Sequence, residues 1–167
     1  MAEASGRLKA EFWRAVESIG DGKLRRRVKR LLEKALERFE REGLSFFEAP
    51  AGRSRHHAYP GGLIQHTLST VRLARAMAEC LRRVYGCRGL NVDYVVAGAL
   101  LHDLYKPPTY QAKPGGGYDF SKLGLRIDHL TLLVAEAYRE RLPLDLIHVL
   151  AASHGEWGPM PPRTVEA

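Results

Sequence analysis

Ala97-Gly98-Ala99-Leu100-Leu101-His102-Asp103-Leu104-Tyr105-Lys106 is an apolar run that ends in an adjacent imidazole and carboxylate, with Pro107-Pro108 following. Consecutive residues of a helix emerge about 100° apart, so a buried helix here delivers His102 and Asp103 on neighbouring faces. Such a pair can grip one ion from two sides, or hold one ion and orient a second. A His-Asp pair at a helix end can equally serve as a cap or a surface pair. The choice turns on where the other histidines fall.

Reading outward from that stretch, Asn91 or Asp93 is expected to cap this helix. Before it, Gly61-Gly62 opens a long helix from Leu63 to about Val84, with His66 in its first turns. Ser45 to Pro60 is a loop by composition and carries Arg53, Arg55, His56, His57 and Tyr59. Earlier still, Leu8, Phe12, Ala15, Val16 and Ile19 stand at helical spacing, and Gly20-Asp21-Gly22 breaks that helix. Lys23 to Glu42 reads as a second helix with the apolar stripe Leu24, Val28, Leu31, Leu32, Ala35, Leu36 and Phe39. Its other face carries Arg25, Arg26, Lys29, Arg30 and Lys34, which is either a solvated face or a phosphate contact.

Downstream, Pro107 to Lys122 is a glycine-rich excursion whose length suits a functional lid or rim. Leu123 to Arg141 is expected to be a helix carrying His129, and Pro143 to start one through Ser153, with His148 and His154. No strand-like alternation is evident. The expected fold class is all-α, with a helical segment over 1–48 packing on a domain over 49–167.

All histidines lie after residue 55, and His66, the His102-Asp103 pair, His129 and His154 come from four different helices. Any one of them could be a core histidine satisfied by a carbonyl. Together, imidazoles and a carboxylate without thiolate suit a divalent transition metal (Mn, Fe, Ni, Co or Zn), as one or two ions. The only cysteines, Cys80 and Cys87, lack zinc-knuckle spacing and are expected to be free buried thiols, with a disulfide between them as the alternative.

The formal charge of +7 favours acidic partners such as nucleotides or nucleic acid. No apolar run reaches membrane-spanning length and the N-terminus has no signal-peptide core, so a cytoplasmic protein with no membrane partner is expected. Scarce amide side chains (Asn91, Gln65 and Gln111) fit a thermophilic source. Homo-oligomerisation stays open.

The sequence resembles the HD-domain metal-dependent phosphohydrolases, through His66, the His102-Asp103 doublet and Lys106. It is closer to their 3′-to-5′ exoribonuclease branch. That likeness rests on Pro50-Ala51, His56-His57-Ala58-Tyr59-Pro60-Gly61-Gly62-Leu63-Ile64-Gln65-His66-Thr67, Asp128-His129 and Ser153-His154-Gly155-Glu156-Trp157-Gly158. The resemblance implies a compact helical bundle preceded by two helices. It departs from that branch in three places. Asp128 stands where a glycine is usual, Ser153-His154 where a double histidine is usual, and none of these residues is expected to form the branch's OB-fold module. The branch also closes its metal site with an Asp on a helix beyond the Glu-Ala pair, which here is Glu166-Ala167, the last residues of the sequence. Three expectations stay open: the final helix is cut short in this sequence, another acid (Asp128 or Glu156) takes that place, or catalysis is compromised.

The resemblance implies a divalent-metal phosphohydrolase, with the 3′ end of a single-stranded nucleic acid as leading substrate class. In it His66, His102 and Asp103 hold the primary ion, and His129 and His154 hold a second ion or orient the phosphate. Asp103 bridges and orients the nucleophile, and Lys106 either neutralises charge developing on the phosphate or is only an exposed helix-end cation. His57, Tyr59, Arg53 and Arg55 are expected substrate contacts. His56 and His148 are read as structural, and Trp157 as a base-stacking or packing residue. A mononucleotide nucleotidase, relaxase-like nicking and a non-catalytic metal- or nucleotide-binding module are the alternatives.

Overall fold

A computed structural model describes residues 2–54, 56–155 and 158–167. Arg55, Glu156 and Trp157, each given a role above, lie outside the described residues. Helix α1 (Ala2–Glu17) is followed at once by α2 (Gly22–Arg41). The restart is local chemistry: Asp21 Oδ1 accepts the otherwise unpaired N–H groups of Lys23 and Leu24, at 2.7 and 3.2 Å. The α2 stripe is buried as its spacing predicts, except for Leu36, which is half-buried against the core.

Helix α3 (Gly62–Val84) enters through Gly61, whose φ of 78° is left-handed. A side chain at Gly62 would meet the His57 carbonyl oxygen at 2.1 Å, so only glycine lets the preceding loop fold back onto the helix start. Helix α4 (Val92–Leu101) is capped by Asn91, whose side chain accepts from Tyr94 N–H at 3.2 Å. Asp93 is not the cap. Its carboxylate accepts from Gly20 and Asp21 N–H at 2.9 and 2.7 Å, tying the α1–α2 turn to the start of α4.

Packing sets α4 at the centre. Val96 to Leu101 are all buried, with α3 and α1 on one side and α7 (Leu144–Ala152) on another, and α7 packs on α6 (His129–Arg139). At Gly98 an added Cβ would stand 2.6 Å from Val149 Cγ1, so α4 and α7 approach as closely as a missing side chain allows. One apolar core runs through α1, α2, α3, α4, α6 and α7.

The segment after the doublet differs from expectation. A short helix α5 (Lys106–Thr109) leads into an antiparallel hairpin of β1 (Tyr110–Ala112) and β2 (Tyr118–Phe120), with Tyr110 opposite Phe120 and Ala112 opposite Tyr118. Strands of three residues are too short for a period of two to register in sequence. The helix expected from Leu123 begins only at His129, because Asp128 caps it; α7 begins at Leu144, with Pro143 as its cap. The fold is otherwise all-helical. Cys80 and Cys87 are free, as expected, but not buried, Cys80 being exposed on the outer face of α3. No helix among the described residues is long and apolar enough to cross a membrane.

Candidate metal centre

Four helices and one carboxylate make the site. His102 follows the last residue of α4 and keeps helical geometry, its N–H donating to Gly98 at 2.9 Å. Its Nδ1 lies 2.9 Å from the Ala99 carbonyl. A carbonyl can only accept, so Nδ1 carries the proton and the Nε2 lone pair is left for another partner.

Asp103 is 1% exposed and each of its oxygens faces imidazoles. Oδ2 stands 3.3 Å from His66 Nε2 and 3.2 Å from His102 Nε2. Oδ1 stands 3.2 Å from His129 Nε2 and 3.9 Å from His154 Nε2. The two halves come from α3 with the end of α4, and from α6 with the end of α7. Burial alone would push the Asp103 carboxyl up. The close approach of His102, then of His129 and His66, outweighs burial and holds it well below the usual carboxylate range.

These donors fit a metal. Ligand atoms about 2.0–2.1 Å from one ion stand roughly 3 Å apart. His66 Nε2, His102 Nε2 and Asp103 Oδ2 are separated by 3.1, 3.2 and 3.3 Å. Asp103 Oδ1 and His129 Nε2 are both buried, and neither makes a directed hydrogen bond among the described residues. Buried polar atoms without partners are rare unless something else satisfies them. The groups able to hold an ion are His66, His102 and Asp103 on one side, and Asp103, His129 and His154 on the other. Burial, then the neighbouring His129, lowers the His154 pKa, which keeps its lone pair free at neutral pH.

Lys106 is not an exposed helix-end cation. It is 8% exposed, and its Nζ donates to Asp103 Oδ2 and to the Ala51 carbonyl, both at 2.7 Å. It therefore fixes the carboxylate and ties the Ala51 loop to it. Arg53 pairs with Asp119 at 3.1 Å and lies 3.9 Å over the Phe120 ring, joining its loop to the hairpin. Tyr59 is exposed and donates to Gln65 Oε1 at 2.8 Å.

Two acids and two histidines need separate comment. Asp128 is engaged as a helix cap and is not grouped with the metal donors. Its Oδ1 accepts from Leu130 and Thr131 N–H and its Oδ2 from the Thr131 hydroxyl, all as the cap of α6. Glu166 Oε1 accepts from Asn91 N–H at 2.8 Å, which anchors the C-terminal residues at the start of α4. His148 is structural, as read from sequence, its Nε2 accepting from Arg163 N–H at 3.0 Å. His56 is not packed away. It is exposed and forms, with His57 and His66, a third group able to hold an ion. The sequence signal for that triad was the Gly61-Gly62 turn, which returns the loop to the first turn of α3.

Comparison with known proteins places these residues in context. The family described as HD domain matches residues 63–167. The chain is 46% identical over 125 residues to a dihydroneopterin 2′,3′-cyclic phosphate phosphodiesterase of Methanocaldococcus jannaschii, covering 75% of this chain and 49% of that protein. It is 35% identical over 133 residues to the 3′-5′ exoribonuclease YhaM of Listeria innocua, covering 73% of this chain and 40% of the relative. The Bacillus subtilis YhaM is 32% identical over 133 residues, with the same coverage. The chain thus spans half or less of the length of these relatives. No solved structure matches it.

Proposed function

The chain belongs to the HD domain family, and from that premise we propose that it is a divalent-metal phosphohydrolase that cleaves phosphodiesters of nucleotide-like compounds. The observation that carries this reading is Asp103, a buried carboxylate with His66 and His102 on one oxygen and His129 and His154 on the other. A bound divalent ion would polarise the phosphoryl oxygen and bring the pKa of a water near neutrality.

The residues divide the remaining work. His66, His102 and Asp103 would hold a primary ion, and Asp103, His129 and His154 could hold a second. Ala99 fixes the His102 tautomer from behind. Lys106 is a positioning residue here: its Nζ donates to Asp103 Oδ2 and keeps that carboxylate aimed, in place of the phosphate-neutralising role expected from sequence. Arg53 and Tyr59 stand on the loop ahead of α3 as substrate contacts, and Arg55 on the same loop is kept as a candidate by its charge alone.

A cyclic phosphate is the favoured substrate, because the relative with 46% identity is named for one. A second reading, trimming of single-stranded nucleic acid from a 3′ end, is favoured by the exoribonuclease relatives and by Lys23, Arg26, Arg27 and Arg30, which line one shallow concavity on α2. The test is metal content of the purified chain, followed by hydrolysis after addition of Mn²⁺ or Fe²⁺. A nucleoside 2′,3′-cyclic phosphate and a short oligoribonucleotide are compared. We expect bound metal and turnover of the cyclic compound, both lost in His66→Ala. Unchanged metal content and hydrolysis in that variant would dismantle the assignment, and faster turnover of the oligoribonucleotide would favour the second reading.

A further inference from the structure

We propose that His56, His57 and His66 form an outer capture site for a transition-metal ion, from which the ion passes to the inner His66–His102–Asp103 donors by exchange at His66. The inference rests on the metal-centre reading above and deepens it. Its starting point is that the two groups of donors overlap in one residue. His66 belongs to the outer triad and to the inner one. A neutral imidazole has one lone pair and therefore serves one ion at a time. The outer and inner triads cannot both be complete, so they are two stations for one ion.

The outer station is built, and two observations say so. The rings of His56 and His57 lie with centroids 5.2 and 5.6 Å from that of His66, while the buried Nδ1 of His57 has no hydrogen-bond partner among the described residues. His57 also holds a φ of 53°, a left-handed conformation uncommon among residues other than glycine. The conformation is enforced from two sides. The His57 carbonyl accepts from Ala51 N–H at 3.0 Å, and it occupies the space that a side chain at Gly62 would need. A strained backbone held in place by its surroundings is a common mark of a functional position.

Exposure gives the direction of transfer. His56 is exposed, His57 and His66 are half-buried, His102 is 8% exposed and Asp103 is 1% exposed. An ion arriving from water meets imidazoles first. Replacing His56 and His57 by His102 and Asp103 then exchanges two imidazoles for one imidazole and one buried carboxylate, which favours the inner position for a cation. Each step of that exchange retains His66, so the ion need not return to water.

The experiment follows uptake of Co²⁺ by the metal-free chain, with Co²⁺ as the only added metal and at less than one equivalent, read by its visible ligand-field absorbance. His56→Ala removes an exposed ring and leaves the core intact. His57→Asn removes the second ring with a residue that tolerates left-handed backbone. Either change should slow uptake on the order of tenfold or more, the scale on which neighbouring groups tune metal affinity, with the amount of Co²⁺ bound at saturation unchanged. Uptake as fast as that of the unaltered chain would overturn the capture site while leaving the inner centre standing. Saturation lower by one equivalent in the variants would also overturn it, because the triad would then hold an ion of its own. If the unaltered chain bound no Co²⁺, the inner centre and the capture site would fall together.

Discussion

At the scale of single residues, the site depends on one buried carboxylate and on what surrounds it. Lys106→Met removes the ammonium from Asp103 and from the Ala51 carbonyl at once. Breaking a buried ion pair from one side costs about 3–5 kcal/mol, so the variant should show a markedly lower denaturant midpoint, together with weaker metal binding in a competition titration. A midpoint within error of the unaltered chain would mean that Lys106 does not act through Asp103. Gly62→Ala is the second test at this scale. Its methyl would lie 2.1 Å from the His57 carbonyl oxygen, so the loop must move. We expect loss of stability of about 1–3 kcal/mol, as for other overpacked positions, and displacement of His57, visible as altered Co²⁺ absorbance. How much of this was legible in sequence differs from residue to residue. The doublet and the three partner histidines were legible because side-chain chemistry and spacing are written in the chain. The burial of Lys106 was not, since the partner that buries it, the Ala51 carbonyl, is remote in sequence and carries no side-chain signature. The nearness of His56 to His66 was not legible for a related reason, the two being brought together only through the left-handed turn at Gly61.

At the scale of elements, two contacts decide how the helices meet. The α4–α7 approach rests on Gly98 and Val149. Gly98→Ala should cost about 1–3 kcal/mol through overpacking, and Val149→Ala in the same chain should restore much of that loss, a coupling that a double-mutant cycle measures directly. Strict additivity of the two changes would show that the helices do not touch there. The second contact joins α2 to the residue after α6. Glu140 is 7% exposed, and Lys34 and Arg30 reach it at 2.7 and 3.3 Å. The Lys34 hydrogen bond lowers the Glu140 pKa below 4.5, with burial opposing it. The unfolded chain therefore takes up this proton at higher pH than the folded one. The stabilisation is complete above the unfolded value and fades as pH falls through the lower folded one. Because both cations are half-exposed, the contribution is about 1 kcal/mol or less. Glu140→Gln should flatten the acid limb of the stability curve without changing stability differences at still lower pH. Amphipathic spacing announced α2, and Asn91 was one of two candidate caps for α4, whereas Asp21 was legible only as part of the break between α1 and α2 and its capping of α2 was not. The hairpin was not announced, because its three-residue strands are specified by pairing across a glycine turn rather than by periodicity.

At the scale of the whole molecule, the first two helices belong to the same apolar core as the metal-bearing ones. Phe12, Val16 and Ile19 are fully buried, and α1 packs on α3 and α4. A chain lacking residues 1–48 should therefore expose the inner faces of α3 and α4 and be recovered largely aggregated, as judged by size-exclusion chromatography; a soluble, monodisperse product would make the segment dispensable. The scarcity of amides predicts thermal unfolding above the range of roughly 45–65 °C common to mesophilic domains, measurable by calorimetry. By itself, the sequence determined the helical class, the apolar stripes and the identity of the candidate donor side chains, because periodicity and side-chain chemistry are local properties of the chain. Only the tertiary structure decided that Asp103 stands between two pairs of imidazoles, that Lys106 is buried against it, that Asp128 is spent as a cap, and that His66 is shared between an outer and an inner triad. Those are relations between groups distant in sequence, and they exist only once the packing of α3, α4, α6 and α7 has brought the ends of the helices to one place.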